Sequence, residues 1–259
     1  MLKIRIIPTI LRKSAVVVKG KNFSKSRVIG PLLPILRVYQ SRDVDELIII
    51  DVSNKIEKNS IARFDWLKDV TSFTTMPLSV GGGIENIDQA TRIIELGSDK
   101  VILNTALRNN PSLINEIASK HGSQSIIASI DSIKIENKFF AFDSWQNKST
   151  NIPISDLIKT AQDQGSGEIM LTSYEQEGTQ KGFDYKLLEF IGSEIDLPLI
   201  LHGGASTRKD FLEIMNYSKL RNISPDALAA GSCFHFTSIT PSEVAEHLFS
   251  ANIPVRRVL

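Results

Sequence analysis

Short runs of β-branched and aliphatic residues alternate with helical patterns from one end of the chain to the other. We count eight candidate strands, which begin near Arg5, Glu46, Pro77, Lys100, Ser125, Glu168, Pro198 and Ala227. Such alternation is typical of parallel βα units, because a crossover helix returns the chain to the same edge of the sheet. The 259 residues match the ~250 that an eight-unit barrel takes. The sequence therefore predicts an α/β fold, a single (β/α)8 TIM barrel domain spanning residues 1–259.

The two halves of the chain repeat each other. PLSVGGG at Pro77 returns as PLILHGGAS at Pro198, and DELIIIDVS at Asp45 returns as GEIMLTSYE at Gly167. Both pairs are about 121 residues apart, longer than the ~20–50 residues of a solenoid repeat. This spacing predicts two four-strand half-barrels. We expect two local departures: a hairpin at residues 132–145, after the fifth strand, and a longer loop at SKLRNIS, before the eighth.

Composition limits the partners and the compartment. The net charge of +1 gives no global field that would attract nucleic acid or an anionic membrane, so phosphate binding must be local. The single cysteine, Cys233, excludes an internal disulfide and suits a reducing cytoplasm. Arg5 and Pro8 interrupt the first apolar run, so neither a signal peptide nor a membrane span is expected. We expect no metal and no cofactor, because ligand spacing is missing among the histidines His121, His202, His235 and His247.

Glycine-rich turns follow strands at corresponding places in the two halves. Glycine lets the backbone approach a ligand closely, and the loops after strands 7 and 8 are the common phosphate site of such barrels. Two sites related by the repeat predict a ligand with a phosphate at each end. The alternative is that these glycines only turn tight corners. The candidate residues are Gly82, Gly83, Asn104 and Thr105 in the first half, and Gly203, Gly204, Gly231 and Ser232 in the second.

Four charged residues, Arg5, Glu46, Lys100 and Glu168, stand at the starts of strands, which is the bottom of a barrel. Side chains alternate between the two faces of a strand, so each can share the inward face with the residues two and four positions on. Inward charges are costly unless paired, and two cations with two anions can form a compensating ring. Such a ring could be functional or could simply plug the barrel, and some members could instead face solvent.

A series of short motifs extends over essentially the whole chain. It includes RIIP, VVKG, DELI, VGGGI, GSDKV, NTA, GSQ, GEI, LTS, EGT, GFD, GGA and FHF. In order and spacing these resemble the cyclase subunit of imidazole glycerol phosphate synthase. The resemblance implies a lyase-type barrel that forms a heterodimer with a glutaminase docked at its bottom. It also implies that ammonia from the glutaminase converts a ribulosyl-linked bisphosphate into imidazole glycerol phosphate and an aminoimidazole nucleotide.

The same resemblance assigns roles to further residues. It places the ammonia gate of the family on Arg5, Glu46, Lys100 and Glu168, with Gln124 near that passage. Asp99 matches a position that docks the partner. Positions on the substrate side fall on Lys19, Asp51, Ser173, Gly178 and Thr179.

The catalytic pair of the family is only half present. Ring closure needs a general acid and a general base on opposite sides of the substrate, and the family supplies two aspartates. Asp131 matches the second, but the first falls on Leu11, which is the half-barrel counterpart of Asp131. Loss of one such group typically costs ~100- to 10,000-fold in rate. Arg12 or Lys13 could occupy the space, but a cation does not restore a carboxylate.

Two other positions depart from the family pattern. His202 replaces the serine of the SGG motif of the family, and Glu177 replaces an aspartate. His202 could contact a phosphate, act as an acid, or merely fill space. The chain also resembles a paralogous group at Ile10-Leu11, Val28-Ile29-Gly30, Val44 to Ile48 and Ala229 to Ser232.

The resemblance to that group implies a role in surface-polysaccharide synthesis, where an acetamido sugar becomes an acetamidino sugar. Three interpretations follow. The first is an ammonia-dependent synthase subunit that aminates a sugar-linked phosphorylated intermediate, with Asp131 as its acid/base. The second is the histidine-pathway cyclase, and the third is a non-catalytic barrel that activates a glutaminase and conducts ammonia.

Overall fold

The computed structural model describes residues 3–23, 26–42, 44–53, 61–192 and 194–256. Its strands are Arg5–Lys13 (β1), Val16–Lys19 (β2), Arg27–Pro31 (β3), Leu47–Asp51 (β4), Leu78–Gly81 (β5), Lys100–Leu103 (β6), Ile126–Ile135 (β7), Lys138–Asp143 (β8), Lys148–Pro153 (β9), Glu168–Ser173 (β10), Leu199–His202 (β11) and Ala227–Ala230 (β12).

The helices mostly follow the barrel strands. They are Leu32–Gln40 (α1), Leu67–Thr71 (α2), Ile87–Glu95 (α3), Thr105–Asn109 (α4), Ser112–His121 (α5), Ile154–Asp163 (α6), Tyr185–Ile191 (α7), Arg208–Arg221 (α8), Ser232–Phe236 (α9) and Pro241–Ser250 (α10). Local capping begins several of them: the side chain of Asn86 accepts from the third amide of α3, and Thr207 and Thr240 form capping boxes. Within the described residues, no helix has the length and apolarity to cross a bilayer.

Eight parallel strands close into a barrel in the order β1, β4, β5, β6, β7, β10, β11 and β12. Pairing of Arg5 with Ala227 joins the first barrel strand to the last, and pairing of Glu168 with Ile127 joins the two strands on either side of α6. The predicted (β/α)8 barrel is therefore confirmed. Each of the eight predicted strands begins within one residue of its observed start.

Alternation along the strands sorts the apolar side chains into two cores. Inside the barrel lies a layer made of Ile7, Ile48, Ile102, Ile127, Met170, Ile200, Ala227 and Ala229. The other face of the sheet packs against the helices, where Ile6, Leu47 and Ile49 belong to the larger core. The inward layer separates the bottom of the barrel from its carboxyl-terminal end.

Two barrel strands extend beyond the barrel and turn back as hairpins. The pairing of Ser132 with Ala141 confirms the hairpin predicted after the fifth strand. Its description as a departure from the repeat was wrong, because β1 forms a hairpin at the corresponding place, where Leu11 pairs with Val18. The turn there passes through Ser14, which has a positive φ of 54°. Serine is not a strong signal for that conformation, so the sequence did not reveal the turn.

The SKLRNIS segment does not lengthen a loop as predicted. Its first four residues form the last turn of α8, which continues to Arg221. Ser218 is buried there, and its hydroxyl donates to the carbonyl of Met215. Lysine, leucine and arginine are good helix formers, and Asn222 ends the helix in the left-handed conformation.

Candidate active site

A cavity of about 480 Å³ opens at the carboxyl-terminal end of the barrel strands. The inward side chains that follow the apolar layer reach it, including Thr9 and Leu11 on β1, Asp131 on β7 and Thr172 on β10. Phe23, after β2, and Trp145, after β8, contribute aromatic walls. In TIM barrels this end holds the active site, because eight loops converge there.

Asp131 is the buried acid of the cavity, with 8% of its surface exposed. One carboxylate oxygen accepts a hydrogen bond of 3.1 Å from the amide nitrogen of Asn104. Burial raises the pKa of Asp131 to about 7, and the charge of Glu177 adds to the rise, whereas Arg108 and the Asn104 bond oppose it. The group can therefore hold or release a proton near neutral pH.

Leu11 occupies the position related to Asp131 by the repeat. In the first half Leu11 pairs with Ile50, and in the second half Asp131 pairs with Thr172. Ile50 and Thr172 correspond to each other in the repeat, so Leu11 and Asp131 correspond as well. Leu11 lines the cavity and so does Lys13, two residues further along the same face. Arg12 is held elsewhere, because it pairs with Asp51 at 2.9 Å and stacks on Trp66. Of the two cations considered for this space, Lys13 is the one that faces the cavity.

The first glycine cluster lies in the cavity wall. Gly82 and Gly83 adopt φ values of 113° and 64°, and a β-carbon on Gly82 would lie 2.2 Å from the carbonyl oxygen of Asp51. Only glycine fits this turn without strain. Asn104 and Thr105, at the start of α4, line the same part of the cavity. The structure thus brings together all four first-half candidates.

The second glycine cluster lies beside the cavity but does not line it. Gly203 and Gly204 both adopt a φ of 95°, and Gly231 precedes Ser232 at the start of α9. The hydroxyl of Ser232 is buried without a hydrogen-bond partner in the described part of the chain. A β-carbon on Gly231 would lie 3.4 Å from the ammonium nitrogen of Lys19, so that cation adjoins this turn.

Lys19 and Glu177 form a buried ion pair between the cavity and the second glycine cluster. Burial raises the pKa of Glu177, but opposing interactions, of which the charge of Lys19 is the largest, outweigh that effect and lower the pKa below its ordinary value. Glu177 lines the cavity, and one of its carboxylate oxygens would lie 3.1 Å from a β-carbon on Gly203. The pair therefore places one cation and one anion at the second cluster.

His202 lines the cavity at the end of β11, with 7% of its surface exposed. Its Nδ1 atom lies 3.0 Å from the hydroxyl of Thr172, while its Nε2 atom is buried without a partner among the described residues. Burial lowers the pKa of His202 to about 4, although Glu177 opposes this. His202 is therefore neutral at pH 7 and presents one uncommitted ring nitrogen.

The remaining predicted substrate-side residues separate into two groups. Asp51 lines the cavity. Ser173, Gly178 and Thr179 do not: the hydroxyl of Ser173 donates to Asp184, and that of Thr179 donates to the carbonyl of Gln176. Gly178 packs against the backbone of Gly20, with its β-position only 2.4 Å from a carbonyl oxygen. In this structure the three residues shape the loop after β10.

The four charges at the bottom of the barrel form a closed, alternating ring. Arg5 pairs with Glu46 at 2.8 Å and with Glu168 at 2.7 Å, and Lys100 pairs with the same two carboxylates at 3.3 and 2.5 Å. Burial raises the pKa of Glu168, but hydrogen bonds and charges of both cations outweigh it and lower it below its usual range. The side chains are at most 18% exposed, so the alternative of members facing solvent is wrong.

The other two bottom positions already have contacts within the chain. Gln124 is exposed before β7, and its amide donates to the carbonyl of His121. Asp99 is exposed before β6 and accepts from the amide of Leu78 at 2.8 Å. Asp226 makes the same contact to Leu199 in the other half, so this bond is part of the repeated fold.

Sequence reasoning missed several residues of the site. Arg63 donates to the carbonyl oxygens of Gly82 and Gly83, and Arg108 donates to Asn104. Neither arginine belongs to a motif, and both reach their partners from helical segments where an arginine is ordinarily a surface residue. No pattern in the sequence distinguishes Arg108 from a surface arginine. Within the described residues, no group of three or more His, Cys, Asp or Glu side chains could hold a metal ion.

Comparison with known proteins identifies the family of the chain. The profile of a family described as "Histidine biosynthesis protein" matches residues 5–240. The chain is 38% identical over 262 residues to the imidazole glycerol phosphate synthase subunit HisF of Dictyoglomus turgidum, with 99% of each chain covered. The chain belongs to the HisF family. The expected family is thereby confirmed.

Two further HisF relatives cover the chain to the same extent. One, from a Thermotoga species, is 35% identical over 256 residues, which are 99% of this chain and 98% of the relative. The other, from Campylobacter jejuni, is provisionally named the hisF2 subunit of imidazole glycerol phosphate synthase and is 36% identical over 99% of both chains. By their names these relatives are subunits of a synthase, and the HisF family to which this chain belongs is a family of enzyme subunits.

Proposed function

We propose that this HisF-family subunit is an ammonia-dependent synthase that aminates a sugar-linked phosphorylated intermediate, with Asp131 as its acid/base residue. The observation that carries the proposal is the asymmetry of the cavity: Asp131 is a buried acid with a pKa of about 7, and Leu11 occupies the counterpart position. Ring closure needs a proton donor and a proton acceptor on opposite sides of the substrate. Leu11 has no proton to transfer.

Amination can proceed with one such group. Ammonia adds to an electrophilic carbonyl carbon, protonated Asp131 gives its proton to the carbonyl oxygen, and the resulting carboxylate takes a proton from the new nitrogen. A second round of the same two transfers breaks the carbon–oxygen bond, releases that oxygen as water and leaves a carbon–nitrogen double bond. One water is released for each nitrogen bound. A carboxyl group with a pKa close to 7 suits both proton transfers, because neither of its forms is strongly favoured at neutral pH.

The same inward faces support a route for ammonia from the bottom of the barrel to the cavity. Above the ring of Arg5, Glu46, Lys100 and Glu168 lies the apolar layer, and above that layer lies the cavity. Crossing an apolar layer costs far less free energy for neutral ammonia than for the charged ammonium ion. We therefore propose the ring as the gate and a glutaminase docked at the bottom, near Gln124 and Asp99, as the source.

The two glycine clusters support a phosphorylated substrate. The first offers Gly82, Gly83, Asn104 and Thr105 directly to the cavity. We propose that the second phosphate is bound by Lys19, Gly203, Gly204, Gly231 and Ser232, next to His202, and that Ser173, Gly178 and Thr179 hold the loop over it. The buried Cys233 fits a reducing compartment, and we propose the cytoplasm.

A second candidate, the histidine-pathway cyclase, is favoured by the names of relatives that are 35–38% identical to this chain. The deciding assay supplies purified chain, ammonium salts and the ribulosyl bisphosphate. Our proposal expects very low turnover, and normal turnover would refute it. Leu11→Asp should then raise cyclase activity by about 100-fold or more, if the missing acid is the reason.

The third interpretation is a conduit that only activates a glutaminase and passes ammonia on. It is separated from catalysis by Asp131→Asn, assayed for sugar amination in the complex with the glutaminase. Amination should fall by about 100-fold or more if Asp131 transfers protons. The exposed Asp196→Asn is the matched control. Unchanged amination in Asp131→Asn would establish the conduit instead.

A further inference from the structure

A continuous set of hydrogen bonds connects the second hairpin to Asp131. Arg108 on α4 donates to the carboxylate of Asp143 at 3.3 Å and to the carbonyl oxygen of Phe142 at 3.2 Å. The same guanidinium donates to the side-chain oxygen of Asn104 at 3.0 Å, and the Asn104 nitrogen donates to Asp131 at 3.1 Å. The Arg108 and Asp143 side chains are only 6% and 14% exposed, so solvent screens this pair weakly.

The bond from Arg108 fixes the orientation of the Asn104 amide. An amide can present either its oxygen or its nitrogen to a neighbour. Because the guanidinium has only donors, it takes the oxygen of Asn104 and leaves the nitrogen to face Asp131. Without Arg108, the amide could turn and present its oxygen to the carboxylate.

We infer that Arg108 and Asp143 form a positioning pair that orients the amide of Asn104 against the carboxylate of Asp131 and places two opposite charges beside it. This inference rests on the proposed acid/base role of Asp131. Neither member of the pair lines the cavity, so both would act on a substrate only through Asn104 and Asp131. The pair belongs to no motif of the sequence.

The electrostatic contributions of the two residues have opposite signs. Burial is the largest influence on the pKa of Asp131 and raises it; Arg108 lowers it, and Glu177 and Asp143 raise it. Other titratable groups in the cavity wall belong to different elements and stay constant in the experiment below. They are Lys13 on β1, Asp51 on β4, Glu85 after β5 and His202 on β11.

Asp143 also connects this pair to the mouth of the cavity. Its other carboxylate oxygen accepts from the backbone amides of Trp145 and Gln146, both at 2.9 Å. These bonds hold the turn on which Trp145 stands, and the half-exposed indole lines the cavity. A substrate resting against Trp145 therefore contacts the turn that the carboxylate of Asp143 holds.

The test follows the titration of Asp131 itself. Carbon NMR of the side-chain carboxyls in full-length protein labelled at aspartate gives the midpoint, and Asp131→Asn identifies the resonance. Arg108→Met should move the midpoint to higher pH by about one pH unit. Asp143→Asn, which keeps an oxygen for the turn, should move it to lower pH. Arg108→Lys, which retains the cation, should return it toward the original midpoint.

Arg92→Met is the matched control, because it breaks an ion pair of 2.7 Å to Asp65 outside the cavity wall. It should leave the Asp131 midpoint unchanged. The inference is overturned if Arg108→Met leaves the Asp131 midpoint where it is in the unchanged protein. It is also overturned if Arg108→Met and Asp143→Asn shift that midpoint in the same direction. If Arg108→Met does not fold, Asp143→Asn still tests the inference, because it should shift the Asp131 midpoint to lower pH.

The titration needs no turnover, so its result is independent of the proposed function. If Asp131→Asn retains amination while the two midpoints shift as expected, the proposed function fails and the positioning pair stands. If amination is lost and the midpoints do not move, the proposed function stands and the pair is refuted. With both confirmed, the pH profile of kcat should shift in the same directions as the midpoints.

Discussion

Replacing Asp131 with asparagine should stabilise the folded protein while it removes the proposed acid/base group. The folded protein holds Asp131 at a pKa of about 7, because burial disfavours the charged carboxylate, whereas the ordinary value is 3.8. The unfolded chain therefore loses this proton first as the pH rises. Between about pH 4 and pH 7 the folded state becomes progressively less stable on account of Asp131, and above pH 7 the cost is constant.

The size of the effect follows from the difference between the two pKa values. About three pH units, at 1.36 kcal/mol for each, give an upper limit of about 4 kcal/mol above pH 7. Near pH 4.5 the same relation gives a destabilisation of the folded state by Asp131 of only about 1 kcal/mol. Asparagine carries no charge at any pH and can still accept from Asn104, so the variant avoids the cost.

The assay is urea unfolding of both proteins near pH 4.5 and near pH 8. The gain in free energy of unfolding should be larger at the higher pH by about 2–3 kcal/mol. The exposed Asp196→Asn should show no comparable dependence on pH. A gain that is equal at the two pH values, or a loss of stability at pH 8, would refute the argument that burial keeps Asp131 protonated.

Three other predictions concern the glycine cluster, the histidine and the ring. Gly82→Ala should lower the free energy of unfolding in urea by about 2 kcal/mol or more, because the added β-carbon would lie 2.2 Å from a carbonyl oxygen. Gly30→Ala is the control and should be nearly neutral, because its β-carbon would make an ordinary contact of 3.5 Å. His202→Gln should raise the free energy of unfolding by about 2 kcal/mol near pH 5 and by little near pH 8. Burial lowers the pKa of His202 to about 4, so near pH 5 the unfolded chain binds a proton that the folded protein does not. A gain in the free energy of unfolding that does not depend on pH would contradict this. Glu168→Gln should lower the free energy of unfolding by about 3 kcal/mol, because it leaves two cations facing one carboxylate, and an unchanged Tm would contradict this.

The sequence determined the barrel and its faces because both depend on local periodicity. Alternation along each strand places Arg5, Ile7, Thr9 and Leu11 on one face, and parallel pairing then brings the charged strand starts together. Glycine at positions 82 and 203 likewise indicates a turn that other residues cannot adopt. The repeat identified Leu11 as the counterpart of Asp131, and the strand registers agree.

Tertiary structure alone decided which side chains share the cavity and how readily they bind protons. Ser173 lies one residue after Thr172, yet its hydroxyl donates to Asp184 outside the cavity wall. The contact of Arg108 with Asp143 joins a helix to a hairpin 35 residues away, and no period in the sequence encodes that distance. The raised pKa of Asp131 depends on burial and on the charges of Arg108, Glu177 and Asp143, which lie elsewhere in the sequence. The carboxyl group therefore has this pKa only in the folded barrel.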